Sequence, residues 1–277
     1  MLQTEMRTYY LLLVPALVIM GIFFVVPLSS VLWISVTDPA PGLENYTQLL
    51  TSDLIHRIWW NTVRICVITT LGAVILGYVV AYAMAQVSPR HRSFMLLCVI
   101  ITFWFSVLVR AFAWVMLLRP EGPVNSALMG IGLIEEPLYL VRNELGVLIG
   151  MIHYMLPVAI LPLYSNMKSI PHKFTDAARG LGASPLKAFF LVYLPMTKPG
   201  ILAAAILVFI ISLGFYITPA ILGGGRVVMI AEYIRVSFDE TLRWGHATML
   251  ASTLLFVVVA ILVVLSRIVD LKKVFGA

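Results

Sequence analysis

Residues that could carry out chemistry are sparse in this sequence. Only 12% of its 277 residues are charged, whereas 61% are hydrophobic. The sequence lacks the nucleotide-binding pattern G-x-x-x-x-G-K-[ST], the nucleophile pattern G-x-S-x-G and the metal-binding patterns H-E-x-x-H and C-x-x-C. Its five histidines are scattered without the spacing of metal ligands. We therefore predict neither a catalytic site nor a metal site in this chain.

Two arginines, Arg64 and Arg110, stand within apolar runs, where ionisable groups are costly and often functional. Arg110 lies about nine residues inside its run, a depth of about 13 Å at 1.5 Å per residue. Two interpretations stay open for each arginine. Both could line a path for a transported solute. Alternatively, Arg110 makes a structural hydrogen bond, and Arg64 extends to the membrane surface.

Three other side chains could line the same path. These are Trp114, Tyr216 and Thr218, which lie near the same end of two apolar runs. Helix packing or an aromatic belt at the membrane surface is the alternative role. No Asp or Glu lies in the interior of an apolar run, which disfavours a carrier driven by protons or sodium through a carboxylate relay.

The apolar runs define the fold class. The mean hydropathy is +1.00, far above that of a soluble domain. A helix of about 20 apolar residues crosses the hydrocarbon core, and spanning segments outside β-barrels must be helical to satisfy their peptide groups. Six runs reach this length, so we predict an all-α polytopic membrane protein. They cover residues 9–36, 60–86, 94–118, 146–167, 200–222 and 246–268.

The distribution of lysine and arginine predicts the orientation, because cytoplasmic loops carry an excess of both. With both termini in the cytoplasm, the cytoplasmic segments hold 11 basic and three acidic residues, against eight basic and ten acidic residues elsewhere. We therefore expect an N-in, C-in topology. The pI of 9.4 then reflects the basic residues of the cytoplasmic loops. We expect membrane lipid, and no nucleic acid, as a partner.

The longest cytoplasmic loop, residues 168–198, is predicted to form two short helices. Thr175 is the expected N-cap of the first, with Asp176 in its first turn. Gly180 and Gly182 are expected to end this helix.

The second helix of the loop is predicted to begin at Ser184-Pro185, where serine is a good cap and proline a good first residue. Pro195 is expected to stop it. Either the helix pair rests on the cytoplasmic leaflet, or its first helix is a docking site for a soluble partner.

The loop resembles the EAA motif of type I ABC importer permeases. That motif has Glu-Ala-Ala, three residues, Gly, nine residues, Ile, one residue and Leu-Pro. The chain has Asp176-Ala177-Ala178, Gly182, Val192 and Leu194-Pro195 at the same spacing, with Asp replacing Glu and Val replacing Ile. Segment 61–85 also resembles the start of the type I permease domain, and segments 108–118 and 212–225 resemble the branch of these permeases for polyamines, opines and related solutes.

The resemblance implies a permease fold with a cytoplasmic coupling helix between the fourth and fifth spans. It implies a permease subunit of an importer in the bacterial inner membrane, working with a second permease, an ABC ATPase dimer and an extracytoplasmic solute-binding protein. ATP and Mg²⁺ would bind the ATPase, with no cofactor in this chain. The residues expected to couple the ATPase to the spans are Asp176, Ala177, Ala178, Arg179, Gly180, Gly182, Leu194 and Pro195.

A polyamine is the solute that the resembled branch favours, whereas Arg110 would suit an opine, an amino-phosphonate or another anionic or zwitterionic solute. A secondary transporter and a non-transporting membrane scaffold are the competing classes. The predicted domains are residues 1–56, a first spanning helix with its outer loop, residues 57–268, the permease domain, and residues 269–277, a short basic tail.

Overall fold

The computed structural model describes residues 13–171 and 173–268. Within them the chain is helical and contains no strand. The helices are α1 (Leu13–Thr37), α2 (Glu44–Thr51), α3 (Asp53–Gln86), α4 (Pro89–Trp104), α5 (Val107–Leu118), α6 (Pro123–Gly130), α7 (Glu144–Lys168), α8 (Lys173–Gly180), α9 (Pro185–Met196), α10 (Lys198–Leu213), α11 (Ile217–Gly223), α12 (Ile230–Asp239) and α13 (Trp244–Ile268).

Four of the described helices, α1, α3, α7 and α13, are long and apolar enough to cross a membrane. The predicted first span begins at residue 9, but residues 9–12 lie outside the described part, as does the predicted tail 269–277. The predicted domain boundaries stay predictions.

Two predicted spans are wrong as single continuous helices. Residues 94–118 divide into α4 and α5, with a bend of 97° between Pro89–Trp104 and the helices after it. Phe105 and Ser106 cause the break because both have extended backbone, with ψ of 132° and 136°. Residues 200–222 likewise divide into α10 and α11, which are separated by Gly214, Phe215 and Tyr216.

Two π-helical turns precede prolines inside helices. Gly21–Val25 lies in α1 before Pro27, and Phe189–Tyr193 lies in α9 before Pro195. Proline lacks an N–H and its ring collides with the carbonyl one turn earlier, so a wider turn accommodates it. The second loop helix ends at Met196, so the prediction that Pro195 stops it holds to within one residue.

The described residues form two compact units, 13–56 with 233–260, and 57–232 with 261–268. In the first unit, the Asn45 side-chain amide donates to the carbonyl oxygens of Ser35 and Asp38, at 3.3 and 2.7 Å. The Asp38 carboxylate accepts from the Gly245 N–H at 2.7 Å. A negative charge is thus held at the N-terminal end of α13, where the helix dipole favours it.

The second unit is built on α3, α7 and α10. Its core includes Ala81, Met155, Leu163 and Val208, all fully buried. Helices α3 and α7 approach closely at Gly77, where an added Cβ would lie 3.1 Å from the Cβ of Ala159. Helix α9 packs on this core through Phe189 and Tyr193, and α8 packs against α9.

Candidate functional site

Helix α8 begins earlier than predicted. It starts at Lys173, and the Phe174 N–H already bonds to the Pro171 carbonyl at 3.3 Å. Thr175 therefore lies inside the first turn, and the prediction that it caps the helix is wrong. Asp176 is in the first turn, as expected, and Arg179 is in the last.

The C-terminal end of α8 is a Schellman motif. Gly182 has a φ of +90°, a backbone conformation that side chains of L-residues disfavour. Its N–H bonds to the Arg179 carbonyl, and the Ala183 N–H bonds to the Ala178 carbonyl, both at 3.0 Å. These two bonds satisfy helix-end carbonyls in the manner typical of this motif. The predicted end of the helix at Gly180 and Gly182 is confirmed, and glycine at 182 has a physical reason.

Helix α8 presents an exposed surface. None of its residues is buried, Ala177 is exposed and Ala178 is half-buried. Phe174 is 43% exposed, and Leu181, just past the helix, is 91% exposed. The surface therefore combines apolar side chains with charges of both signs from Asp176 and Arg179.

Helix α9 joins α8 to the core of the second unit. The Ser184 hydroxyl accepts from the Lys187 N–H at 3.3 Å, which confirms the predicted start at Ser184-Pro185. Its side chains separate into two sets: Phe189 and Tyr193 pack into the core, whereas Leu186 and Phe190 are exposed. At its end, Leu194 is half-buried and Pro195 is exposed.

A second group of side chains brings α5 against α7. The guanidinium carbon of Arg110 lies 4.2 Å from the ring centroid of Tyr154, a cation–π contact. The Tyr154 ring packs on Phe215, with centroids 4.4 Å apart. The indole N–H of Trp114 donates to Nδ1 of His153 at 3.1 Å. Arg110 and Trp114 thus belong to one cluster.

The other predicted path residues have different surroundings. Tyr216 follows Phe215 and is 38% exposed. Thr218 is buried in α11, where an added Cβ on Gly150 would meet its methyl group at 2.7 Å. Arg64 makes an ion pair with Glu144 at the start of α7 and stands apart from the Arg110 cluster. This pairing is a contact between two helices that spacing along the chain could not indicate.

Sequence reasoning missed His153, Tyr154 and Phe215. Their signal was weak: His153 and Tyr154 are adjacent polar-tipped residues inside an apolar helix, and Phe215 follows a glycine at the break between α10 and α11. Among residues 13–171 and 173–268, no three His, Cys, Asp or Glu side chains come together as metal ligands would.

Comparison with known proteins identifies the family. The profile described as "Binding-protein-dependent transport system inner membrane component" matches residues 73–271. The spermidine/putrescine transport system permease protein PotB of Haemophilus influenzae is 32% identical over 237 residues, covering 83% of this chain and 82% of that protein. PotB of Escherichia coli K12 is 31% identical over 214 residues, which cover 76% of this chain and 78% of that protein.

Solved structures show the same fold. A bacterial ABC transporter involved in the import of the acidic polysaccharide alginate contains a chain with a TM-score of 0.74 at 21% identity, covering 94% of this chain and 93% of its own. The alginate transporter in complex with an alginate pentasaccharide-bound periplasmic protein contains a chain with a TM-score of 0.76 at 19% identity, covering 97% of this chain and 95% of its own. The chain belongs to the binding-protein-dependent transport system inner membrane component family and is a multi-pass permease subunit of an ABC importer in the inner membrane.

Proposed function

We propose that this permease crosses the membrane six times, with both termini in the cytoplasm. Helices α1, α3, α7 and α13 supply four spans, and the bent pairs α4–α5 and α9–α10 supply two more, the second bent by 58°. The excess of basic residues in the segments then placed in the cytoplasm supports this orientation. It places α8 and the start of α9 on the cytoplasmic side.

We infer that α8 is the helix through which an ATPase drives transport. The observation that carries this proposal is that an ordered helix, closed by a Schellman motif at Gly182, has no buried residue of its own. An eight-residue helix is marginal in water by itself, so a surface of this kind gains stability from a partner. The EAA spacing from Asp176 to Pro195 indicates that the partner is an ABC ATPase.

The proposed assembly contains this chain, a second and related permease, two cytoplasmic ATPase subunits and an extracytoplasmic solute-binding protein. ATP and Mg²⁺ bind the ATPase subunits, and this chain is a transport subunit with no enzymatic activity of its own. Transport proceeds by alternating access: ATP binding closes the ATPases, α8 moves with them, and the cavity between the spans opens outward. Hydrolysis then resets the complex.

The ATPase contact is tested by co-purification. Asp176→Arg reverses a charge at the centre of the proposed surface, and Gly182→Trp adds bulk where the φ of +90° favours glycine. We expect both variants to lose the ATPase subunits and ATP-dependent uptake. Glu136→Arg, an equally drastic change at an exposed residue between α6 and α7, is the matched control and should retain both. Uptake by this chain alone without ATP would instead indicate a secondary transporter.

We propose a polyamine as the solute, supported by the likeness to PotB. Aromatic rings attract ammonium groups, and the cluster around Tyr154 supplies aromatic faces at the break between α10 and α11. Arg110 favours the alternative, an opine, an amino-phosphonate or another anionic or zwitterionic solute, because its charge repels a polycation. Mass spectrometry of the cognate binding protein, purified with its bound solute, distinguishes them. A bound polyamine is expected, and a bound anion would contradict the assignment.

A further inference from the structure

Helix α8 packs against α9 at the π turn Phe189–Tyr193. A cavity of about 220 Å³ lies beside this contact, lined by Tyr82 and Gln86 of α3 and by Asp176 and Arg179 of α8. Movement of α8 therefore reaches α9 through direct packing, whereas the space beside α3 leaves room for displacement.

Four aromatic rings connect α9 to α3, and we call Tyr78, Tyr82, Phe189 and Tyr193 the aromatic bridge. Tyr82 packs edge-on against Phe189 and Tyr193, with centroid distances of 5.5 and 5.4 Å. Phe189 and Tyr193 stack on each other at 5.9 Å, and Tyr78 meets Phe189 edge-on at 6.4 Å. These separations and angles are those that aromatic pairs prefer.

A hydrogen bond attaches the same side of α3 to the end of α9. The hydroxyl groups of Tyr78 and Thr197 lie 3.2 Å apart. Thr197 is fully buried at the junction of α9 and α10, and its hydroxyl donates to the Leu194 carbonyl at 2.8 Å. Helix α3 thus holds α9 at the π turn and at the bend that follows it.

The π turn gives the bridge its geometry. In it the Leu194 N–H bonds to the Phe189 carbonyl, five residues earlier, and the wide turn places the rings of Phe189 and Tyr193 in a stack facing α3. Single π turns within α-helices are frequent at functional sites. Tyr193 is 5% exposed, so its ring is held by close packing that transmits displacement.

We propose that the aromatic bridge transmits the movement of α8 to α3, with Tyr82 and Phe189 as positioning residues for transport. This inference rests on the proposed function, in which α8 contacts the ATPase. Interfaces packed this closely move between discrete arrangements and do not deform continuously, so the rings carry α3 with α9 when α8 is displaced.

The test measures solute uptake per ATP hydrolysed by the complete complex in proteoliposomes. Phe189→Leu and Tyr82→Leu keep an apolar side chain at each position but remove the edge-to-face contacts. We expect both to retain the ATPase subunits and ATP hydrolysis while the uptake per ATP falls at least about fivefold, the lower end of coupling between distant sites. The double variant should lose little more than either single one, because both changes break the same contact.

Two controls separate coupling from folding. Tyr82→Phe keeps the ring and should restore the wild-type ratio. Phe94→Leu makes the same side-chain change in α4, at a residue that is 66% exposed, and should leave the ratio unchanged. If the Phe189→Leu variant does not assemble with the other subunits, the uptake per ATP of the Tyr82→Leu variant tests the proposal alone.

Three results would overturn the inference. A wild-type ratio in Phe189→Leu and Tyr82→Leu would show that α8 reaches the spans by another route. Loss of the ATPase subunits in these variants alone would place the rings in the docking surface instead of the transmission path. Failure of the wild-type chain to retain an ATPase would refute the proposed function, and with it the bridge.

Discussion

Replacing Gly182 by alanine tests the structural reason for the glycine of the EAA motif. At a φ of +90° an added Cβ meets nothing within 4 Å, so crowding is not the obstacle. The cost comes from the backbone, because left-handed conformations cost an L-residue about 1–2 kcal/mol. A change of this size alters an opening equilibrium about 5- to 30-fold. The Schellman bonds donated by the N–H groups of residues 182 and 183 are the ones weakened.

Hydrogen exchange followed by mass spectrometry, on the chain in lipid nanodiscs, measures this opening. We expect the peptide covering residues 173–188 to exchange faster in Gly182→Ala by about 5- to 30-fold at its protected C-terminal amides. Gly180→Ala is the matched control, because its added Cβ also meets open space but its backbone is helical. Alanine favours a helix by about 0.5–1 kcal/mol over glycine there, so exchange should slow or stay unchanged. Equal exchange in the two variants would refute the reasoning.

Two further changes probe the packing of the second unit. Gly150→Ala should lower the thermal unfolding midpoint, because the new Cβ would lie 2.5 Å from Cδ1 of the fully buried Leu222, and overpacking costs about 1–3 kcal/mol. Gly130→Ala, which adds a methyl group in open space, is its control, and equal midpoints would contradict the expected crowding. The partly exposed Arg64–Glu144 ion pair should show a coupling below about 1 kcal/mol in a double-mutant cycle of glutamine variants, weaker at high salt. A coupling that is insensitive to salt would contradict this.

The fold class was predictable because hydropathy and capping act locally. About 20 consecutive apolar residues identify a span whatever it later contacts. Ser184-Pro185 and Gly182 define the ends of α9 and α8 through bonds between residues three to five positions apart. The EAA spacing lies within the same short segment, so the family could be identified from residues 176–195 before any contact was known.

Local patterns did not predict where helices break. Phe105 and Ser106 interrupt an apolar run without a proline or glycine, and nothing in their types marks the extended backbone that produces the 97° bend. At Pro195 the sequence signal was right, because α9 ends one residue later at Met196, but the π turn at Phe189–Tyr193 was not predicted.

The sequence by itself determined that the chain spans the membrane and carries a capped helix pair with the EAA spacing, because these properties depend on residues close together in the chain. Only the tertiary structure decided the partners of the ionisable and aromatic side chains. Arg64 meets Glu144, Arg110 lies over Tyr154, and Tyr82 meets Phe189. These partners are far apart in sequence, and an apolar helix has no periodicity that selects one neighbour over another until the helices pack.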